Sequence, residues 1–438
     1  MNLLKLFILS SALVLSPAVL MAAQSGTPDV PVIPVPSSLP VASEAPAPSP
    51  LPSSTATAAP SYSLNSSTYL STYQVGTGTT TNNYLPLYED LNFKYPVLKH
   101  TLSIEASGWL NYDFLTSQYT HRTNTDFAYA YLNYTPQQLP MRIKLGRIYS
   151  YFGAASDQYD GMELMVDNIG GFGIDGFVGS EVDSELHNTP GGVTTGGRLF
   201  YNDAYFGVGG SMMYAANNDS VSQERWGVDG WIRPVNMVYL FGRYYYDMVD
   251  KQAYDGTLKI SLTPVKRLFL DAAYGLFNPA SLIDKTSIFW VFNTESYRNI
   301  NGDIGYRILD NLSLAIEGTK YMYSSYGNSY SYGARLNYDK LPYTAGLELD
   351  KVDSNPTDYL TTRVYVARNF AMGFYANIDV IYASYLGILN GYRHSITGHV
   401  AVGKSLVRNL KLTLSGDSLD GPYVRHGGFA MLSLKYSL

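Results

Sequence analysis

The chain has 438 residues, a formal net charge of −6, no cysteine and only 15% charged residues, alongside 40 Tyr and 39 Gly. Ordinary soluble domains carry ~25% charge, so the composition speaks against a large solvated enzyme surface, and no basic stripe marks a nucleic-acid partner. Lack of Cys excludes disulfides, thiolate metal sites and covalent c-type haem attachment, and no cofactor is expected on this chain.

Residues 1–23 read as a secretory signal: Lys5, an apolar run from Leu6 to Leu20, then the small residues Ala22 and Ala23. Residues 24–63 form a linker in which Pro recurs from Pro28 to Pro60 among Ser, Ala and Thr. Such a segment buries too little apolar surface to fold and is biased towards extended polyproline. It serves as a solvated periplasmic tether, or more sharply as a docking segment for a periplasmic partner. Residues 64–99 are rich in Ser, Thr, Asn and Tyr without clear periodicity, and are read as an irregular N-terminal segment that lies at a barrel mouth or plugs the lumen.

From residue 100 to 438 the chain repeats a unit of about 30 residues, a tight turn flanked by two alternating strands. The turns fall at 136–140, 170–173, 202–203, 233–236, 264–267, 309–311, 340–342, 368–370 and 406–409, and are built from Pro, Gly, Asn and Asp. Clean alternation follows many of them. Leu312, Leu314 and Ile316 alternate with Ser313, Ala315 and Glu317; Leu410, Leu412 and Leu414 alternate with Lys411, Thr413 and Ser415. The expected fold is all-β, a transmembrane antiparallel up-and-down β-barrel of about 20 strands (18–22), with short periplasmic turns and longer outer loops. The outer loops include a short one at 150–160, and a longer one at 278–299 whose Ile288–Phe292 core is too apolar to leave in water.

The chain ends on Ala430, Leu432, Leu434, Tyr436 and Leu438 on one strand face, with Met431, Ser433, Lys435 and Ser437 on the other. This stretch resembles the C-terminal signal of Gram-negative outer-membrane β-barrel proteins of porin-like type. That family usually ends in Phe or Trp, whereas this chain ends in Leu438. The resemblance implies an outer-membrane location, surrounding lipid and lipopolysaccharide, and recognition of Leu432, Leu434, Tyr436 and Leu438 by the barrel insertion machinery.

A charge facing lipid at mid-bilayer costs ~2–4 kcal/mol, so strand charges belong in the lumen or near the rims. The basic residues expected to line the pore are Arg142, Lys144, Arg198, Arg243, Lys259, Arg307, Arg335, Arg363, Lys411 and Lys435. The acidic ones are Glu105, Glu163, Asp167, Asp175, Asp229, Asp271, Asp303, Glu317, Glu348 and Asp379. The signs balance, which suits either a field that orients solutes or salt bridges that stiffen the wall. No constriction loop is evident, leaving residues 64–99, loop 278–299 or a separate protein to narrow the lumen.

Two chemical motifs are set aside. Gly171-Phe172-Gly173-Ile174-Asp175-Gly176 has dinucleotide-loop spacing but is followed by an extended run, where that site needs a helix. His394 and His399 are five apart and face opposite ways on a strand. No enzyme is expected. Two functions remain: a porin-like channel passing small hydrophilic solutes or ions, and the barrel sheath of an electron conduit around a multihaem cytochrome partner.

Overall fold

The computed structural model describes residues 62–438 apart from 78–79, 99–100, 116–122, 183–191, 218–219, 279–294, 326, 354–356 and 423–426. The expected signal, and the linker up to residue 61, lie outside the described residues. The chain runs through β1 (Ser63–Thr77), β2 (Thr80–Tyr84), β3 (Pro86–Leu98), β4 (Leu102–Asp113), β5 (Thr123–Tyr134), β6 (Met141–Phe152), β7 (Ala155–Ile169) and β8 (Phe172–Glu181). It continues as β9 (Gly192–Asn202), β10 (Phe206–Asn217), β11 (Ser220–Val235), β12 (Val238–Asp247), β13 (Gln252–Val265), β14 (Leu268–Phe277), β15 (Tyr297–Leu309) and β16 (Leu312–Tyr323). The last strands are β17 (Asn328–Lys340), β18 (Tyr343–Asp353), β19 (Tyr359–Asn369), β20 (Phe374–Leu389), β21 (Tyr392–Val407), β22 (Leu410–Asp420) and β23 (Gly427–Ser437).

Each strand pairs antiparallel with its chain neighbour, and β1 pairs with β23 to close the wall. At that seam Leu64 and Leu438 exchange backbone hydrogen bonds, so both ends of the wall lie at the same end of the barrel. β2 and β3 share one place, since β1 pairs with β2 along its far end and with β3 along its near end. The 23 segments therefore make a barrel of 22 strands. The nine turns read from sequence all connect strands, and the difference from 20 lies before residue 100. Residues 64–99 form wall strands β1–β3 and not an irregular plug. Their outward positions alternate Leu64, Ser66, Thr68, Leu70, a pattern too polar to signal a lipid-facing strand.

Side chains alternate cleanly between two environments. In β10, Gly207, Gly209, Ser211, Met213 and Ala215 are buried inside, while Phe206, Val208, Met212 and Tyr214 are exposed outside. Strand register carries the same two faces around the wall. The outer face is a band of exposed Leu, Ile and Val, including Ile104, Leu145, Ile316, Val364 and Leu414. Two aromatic girdles bound it. Tyr95, Tyr134, Phe172, Tyr306 and Tyr343 ring the end where β1 begins and β23 finishes; Phe114, Phe127, Trp226, Tyr244 and Tyr382 ring the other. Amphipathic rings favour a membrane interface in just this double-belt arrangement. Glu89 is a carboxylate on this outer face, facing the way of Leu87 and Leu91. Its oxygens accept hydrogen bonds from Ser66 and Thr68, which explains why β1 is polar where a lipid face is expected.

The abundance of Tyr and Gly has a local cause. The Tyr365 ring lies across Gly346, and its hydroxyl donates to Asn337 Oδ1 at 2.8 Å, joining β19, β18 and β17. Tyr375 likewise crosses Gly403 and hydrogen-bonds Thr413, joining β20, β21 and β22. A Cβ on either glycine would occupy the space of the ring. Aromatic cover of a strand glycine restores the packing that glycine forfeits.

Candidate functional site: a lumen narrowed by an inward hairpin

The lower halves of β6 and β7 belong to the wall, but the upper halves leave it. β5 pairs with β6 only through Ala130–Tyr134 against Ile143–Arg147, and the pairing of β7 with β8 ends at Tyr159 with Glu181. Residues 148–157 pair only within the hairpin. At the point of departure Gly146, Gly161 and Gly179 stand side by side on three neighbouring strands. Gly146 has φ +135°, and a Cβ there would run into the Ala130 carbonyl. A Cβ on Gly161 would meet the Val178 carbonyl, and one on Gly179 the Asp160 carbonyl. Only glycine permits this close approach and this backbone bend.

Beyond the bend the hairpin folds onto the inner wall. Ile148, Phe152, Ala155 and Tyr159 pack against Phe177, Met213 and Ala215 as one buried cluster. The Tyr159 ring stacks on Phe177 at 4.5 Å. Full burial of an Ile- or Met-sized side chain is worth about 1.5–3 kcal/mol, so the cluster holds the hairpin firmly against a water-facing alternative. The tip is latched as well: Ala154 N–H donates to Ser211 Oγ at 2.8 Å, and Tyr254 hydroxyl donates to the Ala154 carbonyl at 3.4 Å. Gly153 turns the tip at φ +67°. At the base, Lys144 Nζ lies 2.6 Å from Glu163, which is 1% exposed. Ser150 donates to Glu163, and Ser150 Oγ lies 2.5 Å from the Tyr159 hydroxyl. The hairpin's other face, with Tyr149 and Tyr151 at 59% and 58% exposure, becomes a new lumen surface.

The rest of the inner wall carries a belt of alternating charge. Glu317, Arg335, Glu348, Arg363 and Asp379 come from β16 to β20 in strand order. Arg335 reaches Glu317 at 2.7 Å and Glu348 at 3.9 Å; Arg363 reaches Glu348 at 3.6 Å and Asp379 at 2.7 Å. Asp379 stands opposite His399, whose Nδ1 lies 2.8 Å from Asp417 on β22. On the hairpin side Arg198 pairs with Asp229, Arg243 with Asp255 at 3.0 Å and Lys259 with Asp271 at 3.9 Å. Lys94 joins Glu105 at 2.7 Å. Within the belt from β16 to β20, alternation makes the field local, since each charge has its opposite on a neighbouring strand.

Register places the basic residues expected to line the pore on the inward face, Arg142 beside Lys144 on β6 and Arg307 over the Phe269 ring at 5.6 Å among them. The acidic ones share that face. Leu432, Leu434 and Tyr436 face outward, while Met431, Ser433 and Lys435 face inward. The short surface loop expected at 150–160 is instead the tip of the inward hairpin, so the lumen does have a constricting element. Its sequence signal is the stretch Ile148–Phe152, where Ile148 and Phe152 supply a face to bury and Tyr149 and Tyr151 an amphipathic face towards water. Most of loop 278–299, including Ile288–Phe292, lies outside the described residues. Gly171–Gly176 is a turn leading into β8, and His394 and His399 face opposite sides, His394 lying 6.2 Å from the outward Tyr382 ring. Glu317, Glu348 and Asp350 approach one another closely enough to share a cation, but the two arginines already lie against Glu317 and Glu348.

A closed antiparallel wall of 22 strands, an apolar outer band between two aromatic girdles and a polar interior define a large up-and-down β-barrel with the two-faced patterning that a lipid-facing barrel needs. No protein-family model and no curated protein matches the chain. Similar solved structures include the P pilus usher PapC translocation pore, at 9% identity and TM-score 0.48 over 86% of this chain and 99% of that one. The outer membrane protein opdK of Pseudomonas aeruginosa is similar at 11% identity and TM-score 0.44, over 86% and 98%. OccAB4 of Acinetobacter baumannii is similar at 10% identity and TM-score 0.44, over 86% and 97%.

Proposed function

We propose that this chain is an outer-membrane channel for passive diffusion of small hydrophilic solutes or ions. The observation that carries it is the inward hairpin. It covers one side of the lumen, from β8 to β13, and leaves the opposite wall lined by water-exposed polar groups such as Lys94, Lys411 and Lys435. A wall of 22 strands is wider than side chains can fill, since 16–18 strands already leave an aqueous channel. A latched hairpin narrows such a passage without sealing it. The alternative, a sheath around a multihaem partner, gains no support from these features, because a threaded partner would have to displace a hairpin held by an apolar cluster and two latch hydrogen bonds. Recognition of the closing strand by insertion machinery, and a periplasmic orientation of the two termini, belong to the same proposal. Purified protein in planar bilayers should give stepwise ionic conductance. Silent bilayers under conditions that open a control porin would overturn the channel reading.

A further inference from the structure

Across the closing seam, Ser405 on β21, Lys411 on β22, Lys435 on β23 and Ser67 on β1 follow one another in register on the inward face. Lys411 and Lys435 stand directly opposite each other, and both are exposed to the lumen. Like charges directly opposite on paired strands repel. Several other cations in this lumen meet that problem with a neighbouring carboxylate, as Lys94 does with Glu105 and Lys144 with Glu163. Among the described residues neither seam lysine has such a partner. Lys411 Nζ lies 3.9 Å from the centre of the Tyr375 ring, and Lys435 Nζ 5.7 Å from that of Tyr69. The acidic group nearest in register, Asp90, sits one strand beyond Ser67 and accepts from Asn92 at 2.7 Å.

The next inward row adds hydroxyls: Thr413, Ser433 and Tyr69 follow one another across β22, β23 and β1. Directly opposed residues hold their Cβ atoms about 4.5–5.5 Å apart, so two flexible ammonium groups can converge on one ligand. Ammonium groups act as compact point charges with several donors, and hydroxyls add directional ones. We propose that this paired-lysine row is a binding site for a small anion bearing several terminal oxygens, of the phosphate or dicarboxylate class, at the end of the lumen where β1 begins and β23 finishes. The anion supplies the counter-charge that the protein omits here and provides elsewhere. For its access from water the inference rests on the channel reading.

Inorganic phosphate is the probe. Equilibrium dialysis against the full-length, detergent-solubilised barrel should show saturable binding. In the variant Lys411→Gln with Lys435→Gln that binding should weaken about tenfold or more, and Lys411→Arg with Lys435→Arg should keep it. Lys411→Gln alone, outside the closing strand, replaces the double variant if the latter loses the heat-modifiable band of a folded barrel. Wild-type protein with no saturable binding, or a folded Gln variant that binds like wild type, overturns the proposal. In bilayers, phosphate added at the end where β23 finishes should reduce the chloride current of the wild type and spare the variant. A silent barrel that binds phosphate through these lysines sinks the channel reading and keeps this site. A conducting barrel indifferent to phosphate does the reverse.

Discussion

Gly146 and Gly161 face each other across β6 and β7, and the wall ends where they meet. Below them the strands keep one face outward and one towards the lumen in the ordinary way. Above them the same two strands turn inward and lay their inner face on β8–β10. Two residues without side chains thus separate a piece of barrel from a piece of constriction.

Disturbing the hairpin should widen the passage. Gly153→Val forces a side chain where φ is +67° and where Ser211 Oγ already occupies the space, so the tip loses its seat. The expected result is a larger single-channel conductance with an unchanged heat-modifiable band. Wild-type conductance would mean that the hairpin does not limit the pore.

Glu163 ties the base of the hairpin to the wall through Lys144 and Ser150. Removing one member of a buried ion pair costs about 3–5 kcal/mol, because the other charge is left without a partner. Glu163→Ala should therefore shift the urea unfolding midpoint of the reconstituted barrel downward. Glu163→Ala combined with Lys144→Met should recover part of the loss. Equal midpoints in all three proteins would show that the pair contributes nothing.

Arg363 sits between Glu348 and Asp379 in the charge belt. Arg363→Ala leaves two carboxylates facing the lumen with one fewer cation to balance them. In a potassium chloride gradient the reversal potential should move towards potassium preference, more at low ionic strength than at high, where screening shortens the reach of each charge. No movement would place the belt away from the conducting path.

The closing strand gives a two-sided test of register. Leu434→Arg puts a cation on the outward face, where the cost reaches about 2–4 kcal/mol at mid-bilayer and falls towards the interfaces, and should reduce assembled barrel in membranes. Met431→Arg, on the inward face, should assemble normally. Replacing Tyr436 and Leu438 together by Asp should block assembly. Equal assembly of the Leu434 and Met431 variants would contradict the assignment of faces.

Much of the wall was legible because one period governs it. Strands such as β16 and β22 alternate Leu with polar residues, and that alternation is set by two solvents on two faces. The twenty charges expected in the lumen rest on the same rule, as do the turns rich in Pro, Gly and Asn. β1 and β3 were not legible because Ser66 and Thr68 spend outward positions on Glu89, and that exchange between strands 21 to 23 residues apart leaves no local pattern. The hairpin was missed for a related reason. Its tip is short and its residues could sit on a surface; only Met213, Ser211 and Tyr254, far along the chain, make the inward position favourable.

The tyrosines that lie over glycines tie strands in threes. Tyr365 holds its own strand, the glycine strand and Asn337 beyond it at one fixed offset. A slip of one residue anywhere in that triplet would place a ring against a side chain and strand its hydroxyl. Circumference and stagger at such places are therefore locked in whole units. A lineage that enlarged or shrank this barrel by inserting or deleting a hairpin would have to do so between the tied triplets, which leaves the stretch from β17 to β22 the least free to change size.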